Sequence, residues 1–403
     1  MANGVGGKSP EDALSSLSDM TTDVSAVAKS EFEDRLSRLQ EHMKVAGVSA
    51  TYLHAGTNLY YFTGLRWSPS ERMVAAIVPA EGAVQYVAPN FEIDTLQDYW
   101  LIESEIHPWE EHESPYEVAA GLVQTMSGGA AGKVFVDEVT PFFIFNGLRN
   151  AMPTTQFVHA QPATQAIRSR KSTAELALLK RAHEMTLEVH KWAASILRPG
   201  ISTTEVTAFI DDAHRQVGAA GSYFCIVLFG VATSFPHGVK EPQTLRDGDW
   251  VLIDTGCLLH GYNSDITRSY CFGDPTAEHR AAWEHEKAAQ LAGFAAAKLG
   301  EPAEVCDAAA RASLEANGYG PGYAVPGLPH RTGHGCGLDI HEAPNLVRGE
   351  KTPLDVGMVF SCEPMLVLPH KFGVRLEDHF YMSKSGPVWF TEPSKSIDDP
   401  FGV

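Results

Sequence analysis

The stretch Gly248-Asp-Trp-Val-Leu-Ile-Asp254-Thr-Gly256 decides how the second half of this chain is read. Its mostly apolar middle has the composition of a strand, and a carboxylate stands at the strand's exit beside a glycine. Eleven residues on, Gly261-Tyr-Asn-Ser-Asp265-Ile-Thr-Arg268 places a second aspartate in an alternating segment. A period of two puts Asp265, Thr267 and Ser269 on one face, with Ile266, Arg268 and Tyr270 on the other. Taken alone, the pair reads equally well as two aspartates in surface turns.

Three further stretches shift that balance. His330-Arg-Thr-Gly-His334-Gly-Cys-Gly-Leu-Asp-Ile-His341-Glu342 packs three histidines into twelve residues among glycines. Met358-Val-Phe-Ser-Cys-Glu363-Pro364 sets a glutamate in a hydrophobic strand, where an unpaired carboxylate is costly to bury. In Val374-Arg-Leu-Glu377-Asp-His-Phe380 the pleat gathers Arg375, Glu377 and His379 on one face. Asp254, Asp265, Glu363 and Glu377 together carry the charge that balances two divalent cations, and a neutral His334 adds a fifth donor. Oxygen-rich donors with one imidazole suit hard or borderline ions such as Mn²⁺, Co²⁺ or Zn²⁺. Two such ions about 3–4 Å apart can share a water and lower its pKa, which favours hydrolysis of an unactivated acyl bond.

The ordered set Asp254, Asp265, His334, Glu363 and Glu377, in the contexts DTG, SDITR, GHG, EP and RLED, resembles the pita-bread metallopeptidases. That group includes methionine aminopeptidase, aminopeptidase P and prolidase. The resemblance runs from Ile167 to the C-terminus, and the N-terminal half is similar to the creatinase/prolidase N-terminal domain. It implies an α/β N-terminal domain followed by an α+β pita-bread catalytic domain. In the family pattern Asp254 is the bidentate ligand of one metal, Asp265 and Glu377 bridge, and His334 and Glu363 complete the other. Mn²⁺ is the ion expected, with Zn²⁺ or Co²⁺ as alternatives. Phe235-Pro-His237-Gly238 resembles the family's PHG element, and His341 matches the histidine of its HE element. Those histidines would stabilise the oxyanion and help protonate the leaving nitrogen. Proline's imide nitrogen leaves poorly unless protonated, so a histidine donor is useful there.

The activity implied is that of a cytoplasmic, homodimeric Xaa-Pro dipeptidase (prolidase), cleaving dipeptides or short peptides by a metal-bridging hydroxide, with Glu363 beside that hydroxide. Aminopeptidase P activity on longer Xaa-Pro peptides, and a metal-dependent lyase or hydrolase of a small non-peptide substrate, are the alternatives. One position departs from many prolidases: Asn345 stands where an arginine four residues past the HE histidine holds the substrate carboxylate. Arg331, Arg348, Arg66 and Arg72 are the replacement candidates, and Trp67 and Arg72 are placed to act across a dimer if the family's N-terminal loop is kept. Arg375 and Tyr262, close to the ligand positions, read as partners of the ligands or as packing.

The rest of the chain sets limits. With 403 residues, 44% hydrophobic and 20% charged, it can bury a sizeable core. A net charge of −19 disfavours nucleic acid and anionic membranes as partners. No window reaches about 18 consecutive apolar residues. Residues 1–29 read as a polar, mobile or loosely docked extension, 30–165 as the N-terminal domain, and 166–403 as the catalytic domain, with 166–171 as a hinge. A helix is predicted from Phe32 to about Val45, stopped by Gly47, and strands over 50–53, 73–78, 83–87 and 133–136. The capping signatures Ser172…Glu175 and Ser202…Glu205 open helices running to about Leu197 and Gly218. Two more helices are predicted over 276–299 and 303–316. Six cysteines without CxxC spacing read as reduced thiols. The helix histidines His183, His190, His214, His279 and His285 read as surface or boundary residues, and His330 as either packing or functional.

Overall fold

Ser172 Oγ accepts the Glu175 N–H, and Glu175 returns a bond to the Ser172 N–H, so the helix Thr173–Ser195 starts where the capping signature places it. The same reciprocal box opens the helix Thr203–Gln216 at Ser202 and Glu205. The computed structural model describes residues 2–129 and 132–402. The chain divides into two units: Val27–Arg168, and Ser169–Val403 together with Met1–Ala26.

In the Val27–Arg168 unit, strands β1 (Ala50–His54), β2 (Ala75–Pro79), β3 (Gln85–Pro89), β4 (Ile106–Trp109), β5 (Lys133–Val136) and β6 (Gln156–His159) form one sheet. Their order is β4-β3-β2-β1-β5-β6. β1–β2 and β2–β3 are antiparallel pairs, while β3–β4, β1–β5 and β5–β6 are parallel. Tyr52, Ile77, Val87, Val134 and Ile144 are buried in its core. The helix Lys29–Ala46 ends at Gly47, whose φ of 64° is left-handed and open to glycine at little cost.

The other unit holds two larger sheets. Strands β7 (Ser222–Phe229), β8 (Trp250–Leu259), β9 (Tyr262–Asn263) and β10 (Ile266–Cys271) form the first, in the order β10-β8-β7 with β9 also paired to β8. Strands β11 (Gly333–Gly335), β12 (Glu342–Leu346), β13 (Val359–Cys362), β16 (Asp378–Ser383) and β17 (Gly386–Trp389) form the second, in the order β12-β11-β13-β16-β17. The hairpin of β14 (Met365–Leu368) and β15 (Phe372–Arg375) lies between β13 and β16 in sequence. A single bridge between Thr267 and Glu377 joins β10 to the turn from β15 to β16. Helices Ala277–Ala296 and Glu304–Ala316 complete the unit, and Trp250, Trp283, Leu252, Met365 and Val374 share its core. An α/β unit and an α+β unit are therefore both present, as the resemblance implies.

Three expectations need correction. The segment ahead of Val27 is not loosely docked. Its backbone donates from Asn3 to the Asp398 carbonyl (2.8 Å), from Gly6 to Ala194 (2.9 Å) and from Met20 to Val217 (3.0 Å), and Ala13 and Leu17 are buried. The stretch 166–171 is no slack hinge either. The helix Gln161–Arg168 occupies its first part, and Lys171 is buried, its N–H on the Gly357 carbonyl and its ammonium 2.9 Å from Glu342.

Finally, His183, His190 and His214 are fully buried. Together with Thr186, His183 and His190 line the face of the 173–195 helix that meets Ser264–Ile266. Thr186 Oγ1 lies 2.7 Å from Ser264 Oγ, and His190 Nε2 donates to the Ile266 carbonyl at 2.9 Å. His183 Nδ1 donates to Leu179 O at 2.7 Å, which leaves Nε2 to accept the Asp265 N–H at 3.4 Å. Three helical side chains thus hold the backbone that presents Asp265.

Burial pushes His190 down to about 3, and His214 down to about 4, from an ordinary 6.5. The unfolded chain therefore binds protons that the folded chain refuses. Stability is complete above pH 6.5 and falls as pH drops toward those values, by up to about 1.4 kcal/mol per pH unit for each group. His190→Gln keeps a donor for Ile266 but removes one such group. In urea unfolding across this range its acid limb should be flatter than the native one, and an unchanged slope would refute the assignment.

Candidate metal centre

Asp254 lies within β8, directly opposite Thr267 on β10 and Ile226 on β7. Asp265 immediately precedes β10, His334 is the middle residue of β11, Glu363 follows β13, and Glu377 sits between β15 and β16. Five residues far apart in the chain therefore converge through two sheets. Close backbone approach sets the flanking glycines. A Cβ on Gly256 would fall 1.8 Å from the Ser264 carbonyl oxygen, and one on Gly333 would fall 2.1 Å from that of Ser361.

Asp254, Asp265, His334 and Glu377 are buried, and Glu363 keeps 13% of its side chain exposed. His334 Nε2 is 3.0 Å from Glu363 Oε1 and 3.7 Å from Asp265 Oδ2. Its other nitrogen, Nδ1, lies 3.0 Å from the Gly335 carbonyl, which fixes the ring. Glu377 Oε2 accepts from Thr267 Oγ1 at 2.7 Å. Arg375 spans the site: its guanidinium pairs with Asp254, donates from Nε to Thr267 Oγ1 (3.0 Å), and donates from Nη1 to the Pro236 carbonyl (3.1 Å). Candidate ligand atoms of Asp265, His334, Glu377 and His379 all lie within 4.8 Å of one another.

The electrostatics are those of an excess of negative charge. Burial, with the neighbouring carboxylates against it, pushes Asp254 and Glu377 up to about 7 and Asp265 far above its usual range. Burial acts the same way on Glu363, but the charge and hydrogen bond of His334, then His330 and Arg375, outweigh it and hold that carboxylate down. One guanidinium and one imidazole compensate four carboxylates, and Asp254 Oδ1 is buried without a hydrogen-bond partner among the described residues. An oxygen-rich donor set with an unmet demand for positive charge fits divalent cations, and these residues fit such a group.

The histidines gather around the same place. The His341 ring stands edge-on to His334 with centroids 4.2 Å apart, and burial, then the charges of His334 and Arg331, hold it at about 4. His237 is exposed next to Pro236. His330 Nε2 is buried without a hydrogen-bond partner among the described residues, while Nδ1 faces the Arg331 carbonyl at 2.7 Å. Asn345 lies directly opposite His334 across β11 and β12. Arg72 and Trp67 belong to the Val27–Arg168 unit. There Arg72 forks onto Glu111 at 3.0 and 3.2 Å, and Trp67 stands edge-on to Tyr99. Tyr262 donates to Glu175 Oε1 at 2.9 Å, an anchor for the helix start rather than for the cluster. All six cysteines are free thiols, and burial raises the pKa of Cys336 and Cys362 well above the ordinary thiol value. His183 and His379 were the residues that sequence reasoning left without a role. Helical spacing on an apolar face for the first, and a shared strand face with Glu377 for the second, were the available signals.

Because Glu377 is held near 7 against an ordinary 4.5, its ionisation costs the metal-free fold stability as pH rises between those values. In chelator at pH above 7, Glu377→Gln should be more stable than the native chain by roughly 3 kcal/mol. Adding a divalent metal should raise the melting temperature of the native chain far more than that of the variant. Equal melting temperatures in chelator would contradict this account.

Residues 177–384 match the metallopeptidase family M24, and residues 35–170 match the creatinase/prolidase N-terminal domain. Over 346 residues the chain is 33% identical to "Probable dipeptidase PepE" of Mycobacterium tuberculosis, covering 85% of this chain and 90% of that one. The crystal structure of dipeptidase PepE from Mycobacterium ulcerans superposes with a TM-score of 0.85 at 30% identity, covering 91% of this chain and 97% of that one. A recombinant prolidase from Thermococcus sibiricus gives 0.82 at 30% identity, covering 90% and 97%. With the family matched across most of the unit that carries the cluster, the chain belongs to metallopeptidase family M24.

Proposed function

We propose that this protein is a metal-dependent Xaa-Pro dipeptidase, hydrolysing the bond before proline in dipeptides or short peptides. The observation that carries the reading is the gathering of four carboxylates, three of them buried and Glu363 nearly so, compensated only by the Arg375 guanidinium and the His334 imidazole. The similarity to a prolidase structure supports the substrate class. Asp254, Asp265, His334, Glu363 and Glu377 would hold two divalent ions, with Mn²⁺ favoured by the oxygen-rich donors and Zn²⁺ or Co²⁺ as alternatives. When bound, such a pair activates water as a nucleophile near neutral pH and polarises the scissile carbonyl.

The remaining steps belong to side chains. Ser361 Oγ donates to Glu363 Oε1 at 3.2 Å and orients that carboxylate, which would take the proton of the attacking water and pass it toward the imide nitrogen. At pH 7 His341 is a neutral imidazole, so it offers an N–H hydrogen bond to the developing oxyanion without adding a charge. His237, exposed at the rim, is assigned to the same carbonyl or to the leaving nitrogen. Arg375 acts by tying the Pro236 carbonyl, next to His237, to Asp254. Its buried donors are committed to the protein, so substrate carboxylate recognition is assigned to Arg331 and, across a homodimer, to Arg72 and Trp67. A cytoplasmic setting accords with the free thiols. Asn345 favours a second reading, aminopeptidase P activity on longer peptides, in which a free proline carboxylate is not required.

Metal analysis together with a panel of Ala-Pro, Met-Pro, Xaa-Pro-Xaa tripeptides and non-proline dipeptides tests the assignment. Two divalent ions per chain, Mn²⁺-stimulated cleavage of Xaa-Pro substrates and a roughly 10²–10⁴-fold loss of kcat in His237→Ala are expected. A protein that binds no metal and cleaves none of these peptides is not this enzyme, and preference for the tripeptides selects the second reading. Arg72→Ala should raise KM for dipeptides far more than for tripeptides, and equal KM values would remove Arg72 from substrate recognition.

A further inference from the structure

We propose that His379 is a positioning residue for Glu377, donating from Nε2 to Glu377 Oε1 and so fixing the plane of the carboxylate assigned to bridge the two ions. The inference rests on the metal assignment above and adds to it a residue outside the five-ligand set. His379 is fully buried on β16, two positions past Glu377, and its ring turns back toward that carboxylate. Its Nε2 lies 3.4 Å from Glu377 Oε1 and 4.0 Å from Asp265 Oδ2. The opposite oxygen, Oε2, is already held by Thr267. With a donor on each oxygen, the carboxylate cannot rotate about its final bond without losing one of them.

Those distances would also suit a sixth metal ligand, and the second nitrogen of the ring decides between the two roles. A histidine that binds metal through one nitrogen carries hydrogen on the other and nearly always donates it to a partner. His334 follows that rule, with Nδ1 directed at the Gly335 carbonyl. His379 Nδ1 is buried and meets no partner among the described residues. As a ligand, His379 would bury an unsatisfied N–H. As a donor to Glu377 it leaves only a bare lone pair at Nδ1, the cheaper of the two vacancies. The ring is also held from behind. His183 lies 4.6 Å away, centroid to centroid, and is itself stacked on Phe390 at 5.2 Å. His183 Nε2 accepts the Asp265 N–H, so one imidazole supports the backbone of Asp265 while the other meets the carboxylate of Glu377.

The test compares His379→Leu, which removes the donor, with His379→Gln, whose side-chain amide can supply one at a similar reach. Metal-free proteins are titrated with Mn²⁺ by calorimetry, and the Co²⁺ forms are examined by X-ray absorption to count imidazole ligands. One of the two equivalents should bind about 10–100-fold more weakly to His379→Leu, and His379→Gln should recover most of that loss. The native protein should show a single imidazole among its ligands, with the same count in His379→Gln. Native affinity for both equivalents in His379→Leu would overturn the proposal. So would a second imidazole in the native protein that disappears in His379→Gln. Failure of the native chain to take up any divalent ion would instead remove the metal assignment, and this proposal with it.

Discussion

Mutual repulsion among four carboxylates is the constraint on which the rest of the catalytic unit depends. Two unit charges 4 Å apart interact by about 4 kcal/mol at an effective dielectric of 20, so gathering several inside a protein demands rigid support. That support comes from every side. Arg375 neutralises Asp254 and reaches the Pro236 carbonyl. The helix 173–195 holds Ser264–Ile266 through His183, Thr186 and His190. On the other side Gln290 Nε2 is 3.1 Å from the Leu376 carbonyl and 2.9 Å from Asp378 Oδ2, and the other oxygen of Asp378 pairs with the buried Arg268 at 2.7 Å. Asp265 and Glu377 are thus each flanked by residues anchored in a helix: Ser264 and Ile266 in Thr173–Ser195, Leu376 and Asp378 through Gln290 in Ala277–Ala296.

Much of this was legible from residue types. The capping signatures marked two helix starts, and Gly47 marked a helix end, because local hydrogen-bond chemistry determines those points. The carboxylates stood out because Asp254 and Glu363 break apolar runs of sequence, where composition and burial conflict; in the fold Asp254 lies inside β8 and Glu363 just past β13. Positions that depend on a distant partner were less readable. The segment ahead of Val27 looks like a solvated tail because it docks mainly through backbone hydrogen bonds, which leave no mark on side-chain composition. His183 and His190 are seven positions apart on a helix and face the apolar side, yet a histidine in a helix reads as boundary until its acceptor is known. Tyr262, next to the candidate ligands in sequence, turns instead to Glu175 at the start of the helix. Neighbourhood along the chain is a poor guide to which face of a strand a side chain takes.

The segment around His341 shows how an exposed group gains a fixed place. Glu342 is held by Lys171, and its Oε1 accepts the Asp339 N–H at 3.1 Å, closing the loop that leads from His334 to His341. A buried pair of this kind adds little net stability over an apolar alternative, but breaking it would leave one charge stranded. Its value here is geometric: it holds the loop that carries a histidine whose own ring stays accessible to a substrate.

The bond from Asn3 to the Asp398 carbonyl bears on how the chain is assembled during synthesis. It joins a residue made early to one made far later, and the catalytic unit is interrupted by the whole of Val27–Arg168. The interrupting unit finds its sheet partners within itself, from β1 through β6, so it can fold while the remainder is still being translated. The segment ahead of Val27 must wait for strands and helices that emerge much later, and loop closure over such a distance is slow. On a ribosome, the N-terminal domain would therefore be complete while the stretch made before it was still without a seat.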